Sequence, residues 1–366
     1  MRKVFLMKLF MLTIFITGCW DQNLLVNKKF INGVSFDLTE EDKILAAVRT
    51  LDIRNKGGGQ FDIKDKIVQS TQPTVVGTRI DINNKIPGQL DISKAYIILI
   101  GEELAKKGIH PILEPFYRPK DSYIAARIVI TKGDAFDILS KEPKSSPIAF
   151  DILQSFEEAE KSTIIPKETV FTTWAQIVDS GGDVIIPLVE AADSNKVSIG
   201  GMALFNGDKF SGTSLSTERS TLLLLLMDKL EKISPMALIL DQDRSLSFQT
   251  TSLKRDFNLK INKPSGKIIC KVNLKINIQI TSYPQNFNKK INLDKLNKDL
   301  SVKLTKQAKE VTNILLEANC DAFGIGRELA SAHPELWKRI NWEEEYKKVQ
   351  FEPKVKVNII TTGHVF

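Results

Sequence analysis

The chain has 366 residues, 42% of them hydrophobic and 26% charged, with a formal net charge of +7. That is ordinary globular content, and at about 100–200 residues per domain it predicts two or three domains. Three cysteines do not make a disulfide framework, and the positive balance suits a protein lying near anionic lipid.

Met1 to Cys19 sets where the rest of the chain works. Arg2, Lys3 and Lys8 form a basic lead, an apolar run from Leu9 to Ile16 follows, and Thr17-Gly18 leads directly to Cys19. This is the form of a secretory signal: a positive n-region, a short apolar h-region and small residues at the cleavage site. The run is shorter than the roughly 20 apolar residues a membrane span needs. A cysteine after Thr-Gly resembles the lipobox of bacterial lipoproteins, which implies cleavage of residues 1–18 and S-diacylglycerol and N-acyl groups on Cys19. The chemistry asks for cysteine because a thiol is the nucleophile for thioether formation. Two acyl chains, at about 0.8 kcal/mol per buried CH₂, hold a protein where one chain does not. Export disfavours a nucleic-acid partner for the basic charge.

Val26 to Asp37 and Ile44 to Arg54 read as strands of a hairpin bent at Leu38 to Asp42, with Gly57-Gly58-Gly59 as a turn or loop. From Gln60 to Gln89 the signals are mixed and broken by Pro73, Gly77, Pro87 and Gly88. Ala95 to Ile100 is a continuous apolar run, as in a strand buried on both faces. Short helical elements follow at Glu102 to Lys107, stopped by Gly108, and at Ile109 to Tyr117. A strand is expected at Tyr123 to Thr131, a helical turn at Gly133 to Ser140, helices at Phe150 to Lys161 and Thr169 to Val178, and a strand at Val184 to Val189.

Asn206-Gly207 predicts a hairpin between Lys196–Phe205 and Lys209–Ser214. Glu218 to Lys232 reads as a helix whose Leu222 to Leu226 run is core rather than span. A strand begins near Leu246. Val272, Leu274, Ile276, Ile278 and Ile280 alternate with polar residues, so one face of that strand is buried and its lysine face solvated. Asn292 to Asn319 is the longest helix, with Leu293, Leu296, Leu300, Leu304, Ala308, Val311 and Leu315 on one stripe and Asn292 as its cap. Shorter helices near Leu329 and at Glu335 to Ile340 precede an alternating strand at Val355, Val357 and Ile359. The expectation is an α+β protein of three consecutive mixed domains, each a small sheet packed with helices: 19–192, 193–245 and 246–366.

Motifs with chemistry are scarce. His110, His333 and His364 have no ligand-spaced partners, and no H-E-x-x-H, C-x-x-C, G-x-S-x-G or S-x-x-K pattern occurs. Gly324-Ile325-Gly326 follows a helix and lacks the third glycine of a dinucleotide loop. No Lys-Ser or Lys-Thr follows Gly57-Gly58-Gly59 as a phosphate loop requires. Glu157-Glu158 and Glu343-Glu344-Glu345 lie on charged, solvated faces. Cys270 and Cys320 read as two buried thiols, with a single bridge as the alternative. The catalytic, metal and cofactor sets are therefore empty, and Cys19 is the one modified residue expected.

Three markers together carry a family resemblance. They are the lipobox running into Trp20-Asp21; Ile199-Gly200-Gly201-Met202-Ala203-Leu204-Phe205 with Asp208-Lys209-Phe210-Ser211-Gly212, Leu215-Ser216 and Glu218; and Phe323-Gly324-Ile325-Gly326 with Pro334, Trp337 and Lys338. With Ala95–Gly101 and Arg127–Leu139 they resemble the GerC-type spore germination lipoproteins, the C subunits of nutrient germinant receptors. Nearly the whole chain takes part, with Gln60 to Gln89 departing from the pattern. The resemblance implies a non-enzymatic, diacyl-anchored protein on the outer face of the inner spore membrane, in complex with an A subunit and an integral B subunit. It brings no catalytic residues and no cofactor. Phe323 to Trp337 is either a docking surface or core of the last domain. The competing class is a solute-binding lipoprotein that hands a small molecule to a permease.

Overall fold

The computed structural model describes residues 28–362, apart from 59, 88, 93–94, 119–123, 144–146, 194, 242–243, 263–265 and 283–291. Cys19 with its signal segment, and His364, lie outside the described residues.

Two sheets organise the chain. In the first, β1 (Lys28–Leu38), β2 (Ile44–Gly57) and β3 (Gln60–Gln72) form an antiparallel meander. On the other side of β1 lie β5 (Ile97–Gly101), β6 (Arg127–Thr131) and β7 (Ile185–Asp193), all running parallel to it. The antiparallel strands β8 (Lys196–Asn206) and β9 (Lys209–Leu215) complete the row, and β4 (Gln89–Asp91) pairs with the start of β1. Crossover helices cover both faces of the parallel part, so β5 is buried throughout, as its unbroken apolar run requires. One face packs Phe36, Ile98, Ile100 and Ile128 against α1 (Val75–Lys85), α2 (Glu102–Lys107), α3 (His110–Tyr117) and α6 (Val170–Val178). The other packs Ile97, Leu99 and Val129 against α4 (Ala135–Leu139) and α5 (Ile148–Lys161).

The mixed stretch after Gly59 resolves into β3 and α1. β3 is an edge strand, and the charged residues in its sequence mask the periodicity; Asp65 pairs with Arg49 of β2. α1 buries only Val75, Thr78 and Ile82, too little to leave an apolar stripe in the sequence.

The second sheet has the order β10 (Ser234–Asp241), β11 (Arg244–Asn262), β12 (Lys267–Ser282), β13 (Gln350–Thr361). β12 buries alternate residues from Ile268 to Ile280, as its period-two pattern predicts. β13 runs parallel to β12, which requires a crossover. α8 (Leu293–Glu317) supplies it, laying Leu296, Leu300, Leu304, Ala308, Val311 and Leu315 on the sheet. Asn292 caps α8 by accepting from Lys295 N at 2.9 Å, whereas Leu293, in the first turn, remains exposed. No element is expected over Ser234–Asp241, yet β10 runs there: as an edge strand opening on Ser234-Pro235, it buries Met236 and Leu238 and exposes Ile239.

The segment 193–245 shares its strands out. β8 and β9 extend the first sheet and β10 opens the second, so among the described residues this segment has no sheet of its own. Between them lies α7 (Thr217–Leu226), shorter than the helix expected to Lys232. It stops because Met227, Asp228 and Lys229 N–H groups fold back on the carbonyls of Leu223, Leu225 and Leu224, with Asp228 at φ 65°. Leu222 to Leu226 are all buried, in a cluster that includes Met202, Leu204 and Leu215 of the first sheet and Leu246, Phe248 and Leu274 of the second. A helix sandwiched between two sheets is apolar all round, which explains five consecutive leucines.

Candidate functional site

The polar chemistry of the molecule converges where the two sheets meet. α6 ends in Ser180-Gly181-Gly182-Asp183, which leads into β7. After α8, Cys320-Asp321-Ala322-Phe323-Gly324 leads into α9 (Ile325–Ala332). The two Asp-bearing loops lie against each other. Asp183 accepts from Gly207 N in the β8–β9 turn at 2.7 Å and from Asp321 N at 2.6 Å. Asp183 N donates to the Asp321 carbonyl at 3.0 Å. Asp321 then accepts from Ile325 N (2.9 Å), Gly326 N (2.8 Å) and the indole Nε1 of Trp342 (3.1 Å).

This relay satisfies the N–H groups that the start of α9 leaves without intrahelical partners. It runs without interruption from the hairpin turn of the first sheet to α9 and to α11 (Trp342–Glu345), beside the second. Around it, the Gly181 carbonyl accepts from Arg327 N at 2.6 Å and Arg327 pairs with Asp179 at 2.7 Å. Tyr346 donates to the Cys320 carbonyl at 2.7 Å.

Two glycines allow the backbones to touch. A Cβ on Gly326 would lie 2.5 Å from Trp342 Nε1 and 2.8 Å from Gly181 Cα. One on Gly181, at φ 95°, would lie 2.5 Å from Arg327 N. Gly324-Ile325-Gly326 is therefore a packing loop, not a nucleotide cradle. Burial is the leading electrostatic term: it pushes the Asp321 carboxyl up to about 7 and raises Asp183, against the pull of the N–H donors on each. Cys270 and Cys320 are both free and buried, and burial pushes the Cys270 thiol up to about 12 and that of Cys320 well above its ordinary range.

The other singled-out residues are spent on structure. Phe323 stacks between Phe257 and Phe351, with ring centroids at 6.0 and 5.5 Å, and Trp337 packs on Trp342 at 5.8 Å. Both belong to the second sheet's core cluster. His110 stacks on Trp174 at 4.5 Å, and His333 lies between α9 and α10 (Pro334–Trp337). Glu158 and Glu345 pair with Lys161 and Lys348 on exposed faces. Among the described residues no group of three or more His, Cys, Asp or Glu is placed to hold a metal. Asp37 is buried at the end of β1, where it accepts from Ala135 N (2.6 Å) and Phe136 N (2.8 Å) to cap α4. Neither Asp183 nor Asp321 stands out by residue type. The legible signal was an aspartate in a glycine-bearing loop at a predicted element end, Asp183 directly after Gly181-Gly182 and Asp321 three residues before Gly324.

A cleft of about 430 Å³ opens between α5 and the β7–β8 hairpin, lined by Ile148, Ile152, Phe156, Val189, Val197 and Ile199, with Asp151, Ser155 and Ser198 as polar groups. It has the mixed lining of a small-molecule site. Among the described residues, no helix is long and apolar enough to cross a membrane.

Residues 21–191 match the family described as spore germination protein N-terminal domain, and residues 200–363 match spore germination B3/GerAC like, C-terminal. Spore germination protein GerQC of Bacillus cereus is 21% identical over 354 residues, covering 96% of this chain and 97% of that protein. Spore germination protein KC of Bacillus subtilis (strain 168) is 21% identical over 392 residues, with 99% and 96% covered. The crystal structure of the GerBC protein superposes with a TM-score of 0.60 at 18% identity, covering 90% of this chain and 97% of that one. At that identity the likeness establishes the α+β fold alone.

Proposed function

The chain belongs to the spore germination family that joins the GerAC N-terminal and B3/GerAC-like C-terminal domains, and from that premise we propose that it is the lipid-anchored C subunit of a nutrient germinant receptor. In this reading residues 1–18 are removed, Cys19 carries the S-diacylglycerol and N-acyl groups, and the body sits on the outer face of the inner spore membrane with an A and an integral B subunit. Its role is that of a non-enzymatic scaffold that couples its partners.

The observation that supports a coupling role is the Asp183–Asp321 relay, which links the β8–β9 turn of the first sheet to α9 and α11 beside the second. A displacement imposed on one sheet is passed to the other through short hydrogen bonds and a shared leucine core, not through a loose linker. The anchor turns the meeting with membrane partners into a problem of high local concentration.

The test is a germination assay on spores carrying Cys19→Ala beside wild type, with recovery of membrane partners by pull-down. The proposal expects loss of both nutrient response and co-purifying membrane subunits. An unimpaired response, with the protein absent from any membrane complex, would overturn it.

The α5–β8 cleft favours a second reading, delivery of a small molecule to a permease. Binding at a hundred times Kd adds about 2.7 kcal/mol of stability. A nutrient that raises the Tm of the isolated protein, with loss of the rise in Phe156→Ala, would support that reading.

A further inference from the structure

α6 presents an apolar face to solvent. Phe171 is 50% exposed and Val178 59% exposed, and with half-buried Trp174 they recur at spacings of three and four, which places them on one side of the helix. Tyr117 at the end of α3 extends the face: its ring stacks on Trp174 at 4.8 Å and is 40% exposed. Ile124 adjoins, its carbonyl accepting from Phe171 N at 3.0 Å, and is 39% exposed. Single exposed apolar residues are unremarkable, but five gathered along one side of α6 and at the end of α3 make a patch.

The sheet topology says where this patch lies. β1, β5 and β6 are parallel, and Gly33, Ile97 and Arg127 stand side by side near their starts. Thr169, just before α6, bridges to Arg127, and Val170 N donates to the Ala126 carbonyl. Ile124 and Phe171 are therefore at the edge from which these strands start, and β1 runs past that edge back to Lys28. Lys28 is nine positions after Cys19, a reach of at most about 30 Å. A body of this length is about 50 Å across, from a radius of gyration of about 20 Å. A tether shorter than the body holds this edge, and not the far one, toward the leaflet. Tryptophan and tyrosine favour that depth because each ring has an apolar body and a polar tip.

We propose that the Tyr117, Ile124, Phe171, Trp174 and Val178 patch rests in the interfacial region of the bilayer that holds Cys19, so that the protein has a fixed orientation on the membrane. The inference rests on the anchored reading above and adds a second, non-covalent contact to it.

The experiment uses the full lipidated chain on phosphatidylglycerol–phosphatidylcholine vesicles. An environment-sensitive fluorophore is attached at Phe171→Cys or, as a control, at Val302→Cys, which is 65% exposed and lies on α8. The buried Cys270 and Cys320 do not compete for label. The expected result is a blue shift at position 171 and at least twofold quenching by lipids with brominated acyl chains, with neither at 302. Val178→Cys gives the same readout should Phe171→Cys fail to fold. Flotation with the vesicles but no quenching at either patch position, or equal quenching at 302, overturns the contact and leaves the anchor standing. Failure to float overturns the anchor, and the contact with it.

Discussion

Replacing Asp321 with asparagine tests whether the relay is set by burial. In the folded chain the carboxyl is pushed up to about 7 by desolvation, from an ordinary value of 3.8. A raised folded-state value means that the folded state holds the proton more tightly than the unfolded state. The contribution is fully present below about 3.8 and is lost as pH rises through about 7. At about 1.4 kcal/mol per pH unit, that interval corresponds to about 4 kcal/mol between acid and neutral solution. Asparagine keeps one acceptor for Ile325 N but turns an amide toward Gly326 N and Trp342 Nε1, which costs about 1–3 kcal/mol at every pH. The variant is therefore less stable than wild type near pH 4, the gap closes as pH rises, and the order reverses between about pH 4.5 and 6 and stays reversed to pH 8. Urea unfolding followed by tryptophan emission at half-unit steps of pH measures this directly. Taking the difference between the two proteins removes the parallel contributions of Asp37 and Glu168, which burial also raises. Curves that stay parallel from pH 4.5 to 8, or a wild type that gains on the variant as pH rises, would refute the reasoning.

Gly326→Ala should cost about 2–4 kcal/mol, because the new methyl overlaps Trp342 Nε1 and the Gly181 backbone and overpacking adds to a broken indole bond; denaturant midpoints read it. Leu224→Ala, in the helix between the sheets, should lose about 2–5 kcal/mol while keeping one cooperative transition, since both sheets share that core. Two separate transitions in calorimetry would show that the sheets unfold independently. Cys270 and Cys320 should react with a disulfide reagent at pH 8 only at the rate of unfolding, because both thiols are buried and held protonated.

Much of the architecture was local and could be read from the chain. The unbroken run at Ile97–Ile100, the alternation through β12, the stripe of α8 and the Asn206-Gly207 turn each encode one neighbour relation at a fixed period, and each appears in place. The expected pair of buried thiols is present, and Phe323 and Trp337 pack, partly buried, against the core cluster. Edge strands β3 and β10 were obscure because an edge is buried on one side at most and carries charge or proline to avoid mispairing. Helix α7 ran short because its end is set by the fold-back of the Met227, Asp228 and Lys229 N–H groups onto the last turn, with Asp228 at φ 65°, which the leucine run does not record.

The sequence by itself determined the family markers and the period of nearly every long element, since these depend on residues close together in the chain. Only tertiary structure decided that the hairpin after Asp193 joins the first sheet, and that Asp183 and Asp321, 138 positions apart, are hydrogen-bonded to each other. It alone placed Tyr117 against Trp174. Such pairings are set by which surfaces remain unburied once the local elements have formed, and no spacing within either segment records them.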